Sequence, residues 1–247
     1  DGTLTSGRDF SRKGVKVIGV PKTIDNDLAA TDTTFGFDTA VSTAVEAIDR
    51  LKTTAESHSR IITVEAMGRY AGFLALSAGI GGAADAILIP EIEYDINKVA
   101  ETIKANYARG KNYAIVVVAE GAKPKNGEVV VSKVVENSPD PIRLGGIGAV
   151  VADKLETLCK NEARSTVLGH VQRGGITASH DRILSSRYGY AAVELAMQGL
   201  FGNMVILKGD QIGYASLEEV IGQENKKVQT DNELVQMAKA LGVCFGD

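Results

Sequence analysis

A chain of 247 residues, 44% hydrophobic and 23% charged, has the make-up of a globular protein and the length for one large or two modest α/β domains. Its net charge of −4 supplies no basic field for nucleic acid, so any anion site has to be built locally. Cys159 and Cys244 stand far apart with no CxxC, no apolar run approaches the ~18 residues of a membrane span, and no signal peptide is recognisable, so a cytoplasmic protein without disulfides, zinc or a membrane anchor is expected.

The chain opens on DGTLTSG with no Met, and sequence upstream of Asp1 is expected. The first strand is predicted at Lys16–Val20. Phe37, Ala40, Val41, Ala44, Val45, Ile48 and Leu51 then step by three or four residues, one apolar stripe at helical period. Short β-branched runs predict strands at Arg60–Glu65, Ala86–Ile89 and Tyr113–Ala119. After the turn KNG, Glu128–Val135 reads as a strand or hairpin arm. A helix is predicted over Gly145–Cys159, a strand over Ser165–Gly169, a helix over Ser185–Gly199 and a strand over Met204–Leu207. The last helix, about Asp231–Leu241, follows an N-cap at Thr230 or Asp231. Strands alternating with helices predict mostly parallel sheets covered on both faces. No internal repeat, low-complexity tract or flexible linker interrupts them.

Such sheets bind ligands outside the carboxyl ends of their strands. The loops there read PKTIDND, EAMGRYAG, PEIE, EGAKPKNG and HVQRGG, and all carry charge or glycine. In the first, Asp25 and Asp27 alternate beside Lys22 and Thr23. One carboxylate suits a general base and the other a divalent cation, with Lys22 and Thr23 toward a phosphoryl group. Asp and Asn also make ordinary turns, and that reading stays open. In EAMGRYAG, Gly68 and Gly72 flank a possible helix N-terminus, where free N–H groups attract anions, and Arg69 offers a bidentate phosphate contact. A plain strand–turn–helix joint with an exposed arginine fits as well.

His170 and Arg173 lie three apart before two glycines, which suits a phosphate pocket and equally a surface loop. Glu120 ends VVVAE at the ligand edge, suited to sugar hydroxyls or to a cap. Arg60 and Arg164 stand at strand starts, the wrong ends for the same site in one subunit but available to a neighbouring one. Cys159 reads as core, and His58 and His180 as loop residues. No G-x-S-x-G or HExxH pattern supports a hydrolase. Carboxylates for a metal and a base, with arginines and a histidine for phosphate, point to phosphoryl transfer on a small phosphorylated molecule.

PKTIDND, SHSR, VEAMGRYAG, ILIPE, VVVAEG and VLGHVQRGG, in this order and at this spacing, resemble the 6-phosphofructokinase family, and the likeness continues through SHDRILSSRYG to the C-terminus. The resemblance implies two Rossmann-like three-layer αβα lobes with mostly parallel sheets. Residues 1–36 with 172–224 would form the phosphoryl-donor lobe, and 37–171 with 225–247 the sugar-phosphate lobe. It implies Mg²⁺-dependent phosphorylation of D-fructose 6-phosphate at its 1-hydroxyl, a glycolytic step. Asp25 matches the base; Thr23 lies near the transferred phosphoryl and Asp27 in the carboxylate set around the metal. Met67, Gly68 and Arg69 match the sugar-phosphate loop, Glu120 the sugar-hydroxyl ligand, and His170 and Arg173 the 6-phosphate binders. Arg60 and Arg164 match arginines inserted from an adjacent subunit, which implies a homodimer or homotetramer.

Asp1 matches the aspartate of a GGDG turn that approaches the Mg²⁺–nucleotide, with Gly2, Thr3 and Lys22 on the donor side. The two preceding glycines, and the strand and phosphate loop before them, are not in this chain. Gly2 with Lys22 is a mixed donor signature: glycine leaves room for the α-phosphate of ATP, while the lysine also suits pyrophosphate. ATP is the expected donor and pyrophosphate the alternative. A non-catalytic sugar-phosphate sensor on the same fold is the alternative of another class. Arg109, Lys111 and Lys52 match basic residues that bind effectors in some members, and an exposed basic turn fits equally.

Overall fold

The computed structural model describes residues 2–134, 136 and 141–247. In chain order its helices are α1 (Gly2–Arg12), α2 (Phe37–Ser57), α3 (Phe73–Gly81), α4 (Ile96–Ala108), α5 (Ile147–Cys159), α6 (Ser179–Met197), α7 (Leu217–Gly222) and α8 (Glu233–Ala240). The strands are β1 (Ile18–Gly19), β2 (Ile61–Ala66), β3 (Ala86–Leu88), β4 (Ala114–Ala119), β5 (Val131–Val134), β6 (Ile142–Leu144), β7 (Ala163–Val167), β8 (Asn203–Lys208) and β9 (Gln211–Ser216). The chain divides into two compact units, Asp1–Thr39 with Ile176–Lys226 and Ala40–Gly175 with Lys227–Asp247. The expected cuts stood at 36/37, 171/172 and 224/225. No helix among the described residues is long and apolar enough to cross a membrane.

The unit built on residues 40–175 and 227–247 carries a four-stranded parallel sheet in the order β3-β4-β2-β7. β2 and β4 pair from Ile61↔Ala114 to Ala66↔Ala119, and every residue of both is buried. That is why IITVEA and AIVVVA are so apolar: helices cover both faces. Side chains alternate between the faces. Ile62, Val64, Ile115 and Val117 pack with Ile48, Leu76 and Val235 on one side. Ile61, Val116 and Val118 pack with Ile103, Val151 and Leu155 on the other. Each such burial contributes roughly 1.5–3 kcal/mol, so a charge at Val117 would break this core. The polar interruptions Thr63 and Glu65 both meet the start of α5: Thr63 Oγ1 donates to the Gly148 carbonyl at 2.8 Å, and Glu65 accepts from Gly146 and Gly148. A separate antiparallel hairpin, β5–β6, precedes α5.

The unit built on residues 1–39 and 176–226 carries the sheet β1-β8-β9. β1 runs parallel to β8, and β9 returns antiparallel from Asn203↔Ser216 to Lys208↔Gln211. From α6, Leu184, Tyr188 and Leu195 cover one face of this sheet against Val205 and Leu207. Leu217 and Val220 of α7, with Leu4 of α1, cover Met204 and Ile206 on the other.

Several elements differ from expectation. The strand expected at Lys16–Val20 is only Ile18–Gly19, because the chain soon enters Pro21, which has no N–H to give a ladder. The helix expected from Gly145 starts at Ile147, since Gly145 and Gly146 both take positive φ (140° and 91°). The strand expected at Ser165–Gly169 lies two residues earlier, and Gly169–Arg173 is a 3₁₀ turn. The helix expected from Ser185 begins at Ser179. The last helix is capped by Asn232, whose side chain accepts the Leu234 amide at 2.9 Å, and not by Thr230 or Asp231. In the expected arm Glu128–Val135 only Val131–Val134 is strand, and Val135 lies outside the described residues. Helices α1, α4 and α7 and strands β6 and β9 were not anticipated.

Candidate active site

In the first unit the loop after β1 is held at several points. The Thr34 hydroxyl donates to the Thr23 carbonyl at 2.7 Å, and the Thr34 amide to Asn26 Oδ1 at 3.0 Å. Asn26 itself takes a left-handed φ of 53°, which Asn tolerates better than most residues. The turn-making role in TIDND therefore falls to Asn26, between the two aspartates. The Asp25 amide donates to Thr23 Oγ1 at 3.2 Å, and Asp25 stays half-buried. Asp27 is buried: Oδ2 accepts Asn225 Nδ2 at 2.7 Å, and its carbonyl accepts the Lys226 amide at 2.6 Å. Asp27 Oδ1 is buried with no hydrogen-bond partner among the described residues.

Lys226 reaches back to donate its Nζ to the carbonyls of Thr31 and Asp32 at 2.8 and 2.9 Å. Burial pushes its ammonium down to about 8, with Asp32 pulling the other way. Tyr188 donates its hydroxyl to the Thr33 carbonyl at 2.6 Å and packs on Phe35. Lys22 is exposed. Gly2 and Thr3 begin α1, whose open N–H groups favour anions. A Cβ at Gly2 would meet nothing within 4 Å, so packing does not call for glycine there. Asp1, the metal candidate, lies outside the described residues.

In the second unit, loops after β2, β4 and β7 surround a cavity of about 360 Å³. It is lined by Met67, Arg69, Glu120, His170 and Arg173, all five expected from the sequence. Tyr70 and the β6 residues Ile142, Arg143 and Leu144 complete it. The Met67–Gly68–Arg69 loop is shaped by backbone demands. Gly68 has φ 137°, and a Cβ there would sit 2.7 Å from the Ala71 carbonyl oxygen. At Gly121 a Cβ would lie 2.0 Å from the Arg69 carbonyl oxygen, so only glycine lets the end of β4 approach. Glu120 Oε1 then accepts the Arg69 amide at 2.9 Å and the Gly68 amide at 3.3 Å. Burial pushes the Glu120 carboxyl above the usual carboxylate range, and those two amides offset part of that rise.

The 3₁₀ turn carries His170 and Arg173 to the same cavity. Between them Gln172 is buried, and its Oε1 accepts the Met67 amide at 2.9 Å, tying the GHVQR segment to the MGR segment. Gln172, Arg143 and Glu65 were not picked out from the sequence. A polar residue set between two candidate phosphate ligands was a signal for the first; nothing local marked the other two.

Other charged loops are structural. Glu91 of PEIE accepts the amides of Gly72 and Val228, both at 2.9 Å. Lys111 pairs with buried Asp85 at 2.6 Å. Arg60 and Arg164 sit at the amino ends of β2 and β7 and share Glu162: Arg60 Nε meets Oε2 at 2.7 Å, and Arg164 pairs with Oε1. A six-residue strand spans roughly 17 Å, so neither arginine joins the cavity at the carboxyl ends.

The model of the family described as Phosphofructokinase matches residues 1–196. The chain is similar to the ATP-dependent 6-phosphofructokinase 2 of Clostridium perfringens, 64% identical over the whole chain and 68% of that protein. It is 49% identical to the ATP-dependent 6-phosphofructokinase of Chloroflexus aurantiacus, over the whole chain and 67% of that protein. Among solved structures, the pyrophosphate-dependent phosphofructokinase of Marinobacter aquaeolei superposes with a TM-score of 0.74 at 28% identity, over 94% of this chain and 60% of that one.

Proposed function

The chain belongs to the phosphofructokinase family, and from that premise we propose that it transfers the γ-phosphoryl group of ATP to the 1-hydroxyl of D-fructose 6-phosphate, giving fructose 1,6-bisphosphate and ADP. The observation that carries the reading is the cavity of the second unit, lined by Arg69, His170, Arg173 and the half-buried carboxylate Glu120. Guanidinium and imidazole groups suit the 6-phosphate, and a carboxylate suits sugar hydroxyls.

In the proposed reaction the Asp25 carboxylate takes the proton of the 1-hydroxyl. The oxygen bonds to the γ-phosphorus as the bond to the β-phosphate oxygen breaks, and ADP leaves. Thr23 donates to the transferring group and Arg69 neutralises its charge. Gly2, Thr3 and Lys22 face the donor phosphates. Phosphoryl transfer asks little covalent chemistry of the protein, so positioning and charge carry the rate.

A divalent cation fits the chain's chemistry at Asp27, whose Oδ1 is buried and unpartnered among the described residues. No three His, Cys, Asp or Glu side chains among those residues would hold a metal by themselves. Mg²⁺ commonly binds through one or two carboxylates plus substrate phosphates, and Asp27, with Asp1, is the set proposed here. When bound, the cation neutralises charge on the donor phosphates. Arg60 and Arg164, paired through Glu162 at the far strand ends, are assigned to the sugar-phosphate site of a neighbouring copy in a homodimer or homotetramer.

The test is a coupled assay of fructose 6-phosphate phosphorylation by the full-length protein with Mg²⁺ and either ATP or pyrophosphate. Turnover with ATP is expected. Turnover with pyrophosphate alone would transfer the donor assignment to Lys22, and none with either would leave a sugar-phosphate-binding module.

A further inference from the structure

We infer that Arg143 is a phosphate-binding residue of the sugar-phosphate cavity, a third guanidinium beside Arg69 and Arg173. The inference rests on the sugar-phosphate reading of that cavity. Three observations carry it. First, Arg143 lies on β6 of the hairpin and lines the cavity that His170 and Arg173 reach from a different segment. Second, its backbone is fixed. Two residues on, the chain turns through Gly145 and Gly146 at positive φ, and Glu65 at the end of β2 accepts the Gly146 amide with both oxygens at 3.1 Å. The strand that delivers the Met67–Arg69 loop therefore also anchors the base of the hairpin.

Third, Arg143 stands directly across the hairpin from Lys133. Like charges facing each other in an antiparallel pair cost stability. The pairing with Lys133 concentrates positive charge on this part of the hairpin, and an anion in the cavity would relieve it. Arg173 and His170 line the same cavity, and Arg143 adds a further guanidinium from which a phosphate dianion can accept. Arginine adds the planar fork that phosphate oxygens accept in pairs. The phosphate is present in both ground and transition states, so the contact acts on affinity more than on turnover.

The experiment is calorimetric titration of the full-length protein with fructose 6-phosphate in the absence of a donor, for wild type, Arg143→Ala, Arg143→Lys and Lys133→Ala. Arg143→Ala is expected to weaken binding by about ten- to a hundredfold, the range of a hydrogen bond to a charged group. Arg143→Lys should recover part of the loss, and Lys133→Ala should stay within about threefold of wild type. At saturating substrate, kcat of Arg143→Ala should fall by less than about threefold while KM rises with the dissociation constant. Unchanged affinity in Arg143→Ala would overturn the inference, as would an equal loss in Lys133→Ala, which would make the hairpin's charge rather than the residue responsible. A wild type that binds fructose 6-phosphate but transfers nothing would remove the kinase reading and leave Arg143 judged by affinity. A wild type that binds no sugar phosphate would overturn both.

Discussion

Glu65 on β2 grips the Gly146 amide through both carboxylate oxygens at 3.1 Å, and its Oε2 takes the Gly148 amide at 2.8 Å. A buried carboxylate thus occupies the N-terminus of α5, where the helix presents unpaired N–H groups and favours negative charge. The approach is close: a Cβ on Gly148 would lie 3.1 Å from that of Glu65. Glu65→Ala should cost about 2–4 kcal/mol, because it orphans two amides and opens a cavity. It should also weaken fructose 6-phosphate binding, by releasing the hairpin that carries Arg143. Denaturant unfolding beside a titration checks this; a loss under about 1 kcal/mol would separate Glu65 from the clamp.

Glu120 sets function against stability. Its carboxyl is raised by burial, with the Arg69 and Gly68 amides opposing. A group raised in the folded state contributes stability that is fully present below its ordinary value of 4.5 and is lost as pH rises through the folded value. At neutral pH the charged form therefore costs stability. Glu120→Gln should melt at a higher temperature than wild type at pH 7.5, with the gap narrowing toward pH 4.5. Its oxygen can still accept the two amides. Fructose 6-phosphate affinity should fall at the same time. A melting gap that does not change with pH would contradict the assignment.

Lys226 gives a signal of the opposite sign. Its folded value of about 8 lies below the ordinary 10.5, so its contribution is complete above 10.5 and is lost as pH falls through about 8. The unfolding free energy of wild type minus that of Lys226→Gln should rise between pH 7.5 and 9.5. Comparing the pair cancels the tyrosines, whose own titration lies higher. A flat difference would place the ammonium in water, away from the Thr31 and Asp32 carbonyls.

The parallel sheet of the larger unit was legible because its strands are buried on both faces: Ala114–Ala119 can be read from β-branched density alone. The five cavity residues were legible because each sits within a few residues of a strand's carboxyl end. Arg143 was not, since it reaches the cavity from a hairpin far along the chain, and the pairing of Gly146 with Glu65 spans 81 positions. Helix α1 was missed because DGTLTSGRDFSR has Leu4 and Phe10 as its large apolar residues, too few to show a period. The role of Asn26 was hidden by its neighbours: TIDND offers four turn-capable side chains, and the left-handed φ of Asn26 with the hydrogen bond from Thr34 selects it.

The most direct test of the account is Asp25→Asn in the full-length protein, with turnover and fructose 6-phosphate affinity measured on the same preparation. Asparagine keeps the size and the backbone N–H that donates to Thr23 Oγ1, but cannot take the proton. The account predicts that kcat falls by about 10²- to 10⁴-fold while the dissociation constant of fructose 6-phosphate stays within about threefold. Turnover close to wild type would contradict Asp25 as the base, and with it the proposed mechanism.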